Sequence, residues 1–395
     1  MKSVGIVSCY FINNYGSVIQ AYATQKMLDE LGIKNETINV SGFLKQIRKK
    51  QYFYILKSGL KSDMLSDRMG KIKNLLYRKI VKNEYTRGVH KREQAMRDFT
   101  NQYINKSVAC AGFSELTSYC QEHYDTVLIG SDQLWLPANI AADYYTLNFV
   151  PESVKKVAYA TSFGVSSLPD DIKSQASSFL SKIDCISVRE EAGKKIIQSL
   201  IDRDVEVVCD PTLLFNGEQW MDIQDIEPIV KDDYIFCYFI GSSVKHRDFV
   251  KRLKQKKGYK IVALTHVDHY MECDENYADE APYDVSPGQF LNLIRNAKYV
   301  CTDSFHCTVF SLLYNKIFFD FKRYTNESKQ STNSRLETLL GVVDLKNRLF
   351  SGDEEVEELL QMDIDFERVN KKLAAYRNQS KEYLIKALEL DKEVN

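Results

Sequence analysis

His306 lies in the stretch Thr302-Asp303-Ser304-Phe305-His306-Cys307, where an apolar run ends and apolar residues return at helical spacing through Tyr314. An imidazole in the first turn of a helix can donate a hydrogen bond or move a proton. Ser or Asp there caps the helix, and the free backbone N–H groups of its start favour anions. Arg189 closes the apolar run Cys185–Val188. Its planar fork suits a carboxylate or a phosphate. Ser131, Asp132 and Trp135 follow the run Asp125–Gly130. That polar cluster suits sugar hydroxyls, and the indole can stack on a sugar face. Asn14, Gly16 and Ser17 follow the run Ser3–Tyr10. Gly16 lets a ligand approach the backbone closely, and Asn14 and Ser17 can cap a helix or bond a hydroxyl. Plainer readings stand beside each of these: a packed histidine under a capping serine, an Arg189 salt bridge to Glu190 or Glu191, an anchoring tryptophan, and a capped helix.

The elements that position these residues repeat one rhythm of buried strand, polar turn and amphipathic helix. That rhythm predicts an α/β protein with mainly parallel strands. In such sheets, ligands bind at the carboxyl ends of the strands. Residues 1–216 read as a first domain, and the acidic stretch 217–233 as a connection. Residues 233–375 read as a second domain, in which Asn333-Ser334-Arg335 precedes one helix. Residues 376–395 read as a helix that can cross back to the first domain. No GxGxxG and no P-loop occurs, so no nucleotide motif is claimed.

Composition bounds the function. The 395 residues, 44% hydrophobic and 27% charged, are those of an ordinary globular chain of two or three domains. A net charge of −1 gives no argument for nucleic acid. Nine cysteines without a CxxC pair, four of them (Cys185, Cys209, Cys237, Cys301) inside apolar runs, read as reduced core thiols and a cytoplasmic location. No signal peptide is expected, and no apolar run reaches the roughly 18 residues of a membrane span. Between Leu44 and Arg92, 15 Lys or Arg stand against 3 Asp or Glu. Leu56, Leu60, Met64, Met69, Ile72, Leu76 and Ile80 fall there at near-helical intervals. Such a basic arm can lie on an anionic membrane surface, giving peripheral contact through 44–92, or meet a pyrophosphate. It also reads as a helical insertion with a solvated basic face. His266, Asp268, His269, Glu272, Cys273 and Asp274 lack the spacing of a structural zinc site, so no metal is expected.

Seven segments in order resemble the polysaccharide pyruvyl transferase family: Asn14 to Tyr22, Gly130 to Trp135, Ala160 to Gly164, Ser187 to Gly193, Asp210 to Leu214, Thr302 to His306, and Asn333 to Arg335. The resemblance implies two Rossmann-like domains facing across a cleft (GT-B-like), with the basic helical insertion in the first. It implies a phosphoenolpyruvate donor and a sugar acceptor in a surface polysaccharide or its lipid-linked precursor, with no cofactor. His306, Arg189 and Asp132 would be catalytic. Asn14, Gly16, Ser17, Ser131, Trp135, Asp210, Ser304 and Arg335 would bind substrate. Asp132 or Asp210 would orient or deprotonate a hydroxyl. Two departures stand out. Ser304 replaces an arginine that some members carry, for which Arg335 would substitute, and Cys307 replaces a frequent glycine. The alternatives are a GT-B glycosyltransferase using a nucleotide sugar and a non-catalytic membrane-peripheral protein of polysaccharide assembly.

Overall fold

The structure is a computed structural model that describes residues 2–58, 84–267, 270–323 and 333–390. Its first sheet has six parallel strands in the order β2-β1-β3-β4-β5-β6. They are β1 (Ser3–Val7), β2 (Lys34–Thr37), β3 (Thr126–Ile129), β4 (Lys155–Thr161), β5 (Cys185–Val188) and β6 (Glu206–Val207). The second sheet is also parallel, in the order β11-β10-β9-β7-β8. Its strands are β7 (Tyr234–Tyr238), β8 (Lys260–Ala263), β9 (Tyr299–Thr302), β10 (Ile317–Phe321) and β11 (Leu349–Phe350). Strands such as Thr-Val-Leu-Ile and Tyr-Ile-Phe-Cys-Tyr are buried along their whole length. They lack polar–apolar alternation because helices cover both faces of a parallel sheet.

The helices of the first half are α1 (Tyr15–Glu30), α2 (Leu44–Lys57), α3 (Glu84–Tyr103), α4 (Phe113–His123), α5 (Pro137–Ala142), α6 (Asp170–Leu180) and α7 (Glu191–Gln198). Those of the second are α8 (Val244–Lys257), α9 (Pro287–Asn296), α10 (Phe305–Leu313), α11 (Ser334–Val342), α12 (Val356–Leu360) and α13 (Phe366–Ala387). Two α/β halves therefore face one another, and the turns after their strands look into the space between them.

Apolar contact joins the halves. Tyr15 of α1 stacks on Phe290 of α9, with centroids 4.6 Å apart and planes 6° from parallel, and its hydroxyl donates to the Val285 carbonyl. The basic arm is described only at its ends, because 59–83 lies outside the described residues. One end, α2, packs on α5, where the Gln51 amide donates to the Asn139 side chain at 2.8 Å. The other end, α3, carries Arg92, which is buried and donates to the carbonyls of Thr265, Pro282 and Tyr283 in the second half. Arg92 is thus spent on structure rather than on a ligand or a surface. The C-terminal helix α13 lies against the first sheet. Arg377 donates to the Leu213 and Phe215 carbonyls, and the Cys209 N–H donates to Ser380 Oγ.

In the histidine-rich loop, Asp268 and His269 lie outside the described residues. His266 Nδ1 sits 2.6 Å from Asp274 Oδ2, and Arg247 holds the other oxygen at 2.7 Å, so Asp274 is engaged by two side chains. Among the described residues no His, Cys, Asp and Glu side chains are gathered for a metal, and no helix is long and apolar enough to cross a membrane.

Arg92 gives a direct test of the strut between halves. Hydrogen bonds from a charged donor contribute about 1.5–3 kcal/mol each, less than additively. Arg92→Leu is expected to lower unfolding stability by about 3 kcal/mol. An unshifted urea midpoint would show that Arg92 does not tie the halves together.

Candidate active site

Two helix starts meet head to head between the halves. Asn14 caps α1 from extended backbone, and its side chain accepts the Ser17 N–H at 3.2 Å. Ser304 stands at the cap of α10 with its N–H donated to Thr302 Oγ1, whose own hydroxyl donates to the Tyr238 carbonyl. The first-turn N–H groups of a helix lack intrahelical partners, so a helix start favours an anion near it. The two starts meet so closely that a Cβ at Gly16 would stand 2.0 Å from His306 Nδ1. Glycine is required at 16 because an imidazole from the opposite half packs on the backbone. The ligand approach expected at Gly16 is therefore taken by the protein's own histidine.

Under this contact lies a buried charge network. The Asp210 carboxylate accepts from Arg189 Nη1 at 2.8 Å and from Ser131 Oγ at 2.7 Å. Its other oxygen accepts from the Thr212 N–H and hydroxyl. His306 Nε2 lies 3.5 Å from the same Asp210 oxygen that Arg189 holds, an electrostatic contact rather than an aligned hydrogen bond. Burial opposes ionisation of Asp210, but His306, Arg189 and Ser131 outweigh it and hold the carboxyl far below the usual range. Arg189 also lies 3.7 Å from Asp132 and 3.9 Å from Glu190, and its guanidinium sits 4.5 Å from the Phe305 ring centroid. Burial raises the Glu190 carboxyl despite Arg189 beside it.

Asp132 reaches the cleft by a strained route. Its φ is +86°, outside the range a side chain prefers. Holding it costs on the order of 1–3 kcal/mol. The bend turns the carboxylate toward α1, where Ser17 Oγ donates to it at 2.5 Å. Burial disfavours its charge, yet Arg189, His306 and Ser17 keep it below the ordinary carboxylate value.

The cleft itself measures about 370 Å³. Asn14, Ser17, Asp132, Ser304, His306 and Arg335 line it. Other residues expected at the substrate do not. Trp135 is fully buried, packs on Phe163 and Phe179 and donates its indole N–H to the Tyr145 carbonyl, so it cannot stack on a sugar. Ser131 and Asp210 lie beneath the cleft wall, because the strand ends that carry them turn inward to meet Arg189. Arg189 is likewise buried behind Phe305, so it bears on the cleft through Asp132 and Phe305.

Arg335 is a different kind of cation. It is buried on the cleft wall, its Nε has no partner, and no described carboxylate lies within ion-pair distance. Burial, then Arg189 and Arg323, depress its pKa to about 9. A guanidinium so placed calls for an anionic ligand.

Two cleft cations escaped the reading of the sequence. Arg323 follows β10 and donates to the Asp303 carbonyl at 2.8 Å while lining the cleft. Its signal was the one that marked Arg189, an arginine just beyond a strand's carboxyl end. Arg48 of α2 lines the opposite wall, and one of 15 basic residues in a run carries no sign of which faces inward.

Comparison with known proteins agrees with this architecture. The family model described as polysaccharide pyruvyl transferase matches residues 14–319, so the chain belongs to that family, whose name is that of a transferase acting on polysaccharide. No curated protein matches the chain. Among solved structures, S. aureus MnaA with UDP is 12% identical and superposes with a TM-score of 0.50, covering 99% of this chain and 98% of that one. UDP-GlcNAc 2-epimerase from Neisseria meningitidis bound to UDP-GlcNAc is 11% identical, with a TM-score of 0.45, covering 95% of this chain and 100% of that one. The glycosyltransferase SnogD from Streptomyces nogalater is 10% identical, with a TM-score of 0.43 over all of both chains. At this identity the first likeness is one of fold alone. The fold is the GT-B-like pair of Rossmann-like halves.

Two variants probe the network without substrate. Asp210→Asn leaves the buried Arg189 without its closest counter-ion and is expected to cost about 3 kcal/mol. Because its folded pKa is depressed, Asp210 contributes fully above its ordinary value of 3.8, and that stability is lost as pH falls below it. The variant should therefore lose stability less steeply than the parent below that value, and parallel acid profiles would contradict the assignment. Gly16→Ala should cost about 1–3 kcal/mol through overpacking against His306. An unchanged melting temperature would show that the imidazole can leave that position freely.

Proposed function

We propose that this member of the polysaccharide pyruvyl transferase family moves a pyruvyl group from phosphoenolpyruvate onto two hydroxyls of one sugar in a surface polysaccharide or its lipid-linked precursor. One observation carries the donor assignment: a buried guanidinium, Arg335, without a described counter-ion on a cleft wall beside His306. Phosphoenolpyruvate brings a carboxylate and a phosphate, so it needs several fixed cations. Arg335, Arg323 and the start of α10 supply them, while Arg189, neutralised by Asp210, Asp132 and Glu190, positions Asp132 and Phe305 from behind. Arg335, assisted by Arg323, takes the part of the arginine that Ser304 displaces. The reduced thiols suit a cytoplasmic reaction.

The chemistry follows from charge. A proton added to C3 of the enol turns the methylene into a methyl group and leaves C2 electron-deficient. A first sugar oxygen bonds to C2. The C2–O bond to phosphate then breaks with its electron pair leaving on phosphate, and a second sugar oxygen bonds to C2. The two hydroxyl protons balance the one gained at C3 and the one carried off by phosphate. His306 donates the proton, contributing about 10²–10⁴-fold as a general acid. Asp132, ionised and reaching the cleft beside Ser17, accepts a hydroxyl proton. Asp210 orients His306 from below and does not touch the acceptor. Asn14 and Ser17 bond the acceptor hydroxyls, and Trp135 serves only the core beneath them.

Incubation with phosphoenolpyruvate and a panel of free and lipid-linked sugars, read by mass, tests this reading. Gain of one pyruvyl ketal with release of phosphate is the expected result. Gain of a hexose from a nucleotide sugar would replace it with glycosyl transfer. His306→Ala and Arg335→Ala are each expected to reduce acceptor-dependent phosphate release at least about 100-fold with the fold retained, and Arg189→Ala to lose activity together with about 3 kcal/mol of stability. Parent-like turnover in a folded variant would remove that residue from the mechanism.

A further inference from the structure

The helix α2 has two working sides. Ile47 and Ile55 bury one side against the domain, and Leu44, Arg48 and Gln51 wall the cleft. The rest faces outward. There Tyr52, Phe53 and Leu56 are 51%, 57% and 52% exposed, three large apolar side chains within five residues. At 100° per residue all three fall within one 100° arc, and Lys45 and Lys49 project from the same arc. Lys49 Nζ lies 5.8 Å from the Phe53 ring centroid. The helix holds five Lys or Arg and no Asp or Glu, in a chain of net charge −1. No described carboxylate pairs with Lys45, Lys49 or Lys57. Single exposed apolar residues are ordinary, but aromatics interleaved with lysines along one exposed helix face are not.

We propose that the outer face of α2 docks the protein on an anionic lipid bilayer and so brings the cleft to the membrane surface. Charge complementarity selects the occupant. Lysines attract the negative surface potential, while Tyr52, Phe53 and Leu56 enter the boundary between headgroups and acyl chains. The contact is peripheral, since no described helix can span a bilayer. Continuity gives it a purpose. Arg48 lines the cleft from the same helix that carries Lys45, Lys49 and Tyr52 on its outer face. A lipid-borne acceptor would then meet the cleft wall at the surface from which it projects, with Arg48 nearest its phosphate groups. This inference rests on the acceptor being membrane-borne, as proposed above, but its test needs no turnover.

The full-length protein is sedimented with vesicles of phosphatidylcholine alone and of phosphatidylcholine with phosphatidylglycerol, at low and high salt. Capture by the anionic vesicles alone, weakened by salt, is expected. The double variant Phe53→Ser/Leu56→Ser and the double variant Lys45→Gln/Lys49→Gln should each reduce that capture about tenfold or more. Both should keep parent-like turnover with a free sugar acceptor, because none of the four residues lines the cleft. Failure to sediment with either vesicle would overturn the inference, as would undiminished capture of both double variants. If no pyruvyl transfer occurs with any acceptor while vesicle capture holds, the donor assignment fails and the membrane face stands.

Discussion

The carboxylate of Asp210 is the point on which both halves of the molecule lean. It is fully buried, so its charge is tolerable only while cations and donors surround it. Arg189 comes to it from the end of β5 and Ser131 from the end of β3, both in the first half. His306 comes from the start of α10 in the second. Separation of the halves would leave the anion short of one partner and open the Gly16–His306 contact as well. The position of the imidazole is thus set by interdomain packing and interdomain charge together, not by its own helix.

Charge is arranged unevenly around that point. Beneath the cleft, Asp210, Glu190 and Asp132 surround Arg189 with acid. On the cleft wall, Arg335 has no described acid of its own, and Arg323 touches Asp303 through its backbone oxygen and more distantly through its carboxylate. Arg92, also buried without a carboxylate, is at least held by three backbone carbonyls, whereas no hydrogen bond joins Arg335 to a described residue. Leaving Arg335 without a described partner, and bending Asp132 into a strained backbone to reach the same space, both lower stability. On the function proposed above, the missing partner arrives with the substrate.

The basic stretch between Leu44 and Arg92 shows how one run of similar residues is divided among tasks. Arg92 is a buried strut to three carbonyls of the second half. Arg48 lines the cleft, and Lys49 faces solvent beside Phe53. Counting charge in the sequence could not separate these roles, since each depends on which way a helix is turned and what lies opposite. Trp135 illustrates the same limit. A polar strand end with a tryptophan fits a sugar platform or a core anchor equally well, and only the packing of Phe163 and Phe179 against it decides.

The amino-acid sequence by itself determined the two parallel α/β halves. Runs such as Thr126–Ile129 and Val300–Thr302 are buried on both faces, and apolar residues at helical spacing follow the polar turns. These are local patterns, readable within about a dozen residues. The ordered family segments singled out particular strand ends, His306 and Arg189 among them. Tertiary structure alone decided which of those ends line the cleft and which meet each other. Ser131, Asp210 and Arg189 turned inward to one another, whereas Asn14, Asp132, Ser304 and Arg335 reached the cleft. Arg323 joined them without having been singled out. The reason is physical: a strand end points a residue toward the cleft region, but its depth depends on counter-charges supplied from other strands, up to a hundred residues away. Burial and charge pairing are properties of the assembled fold, and no stretch of sequence contains them.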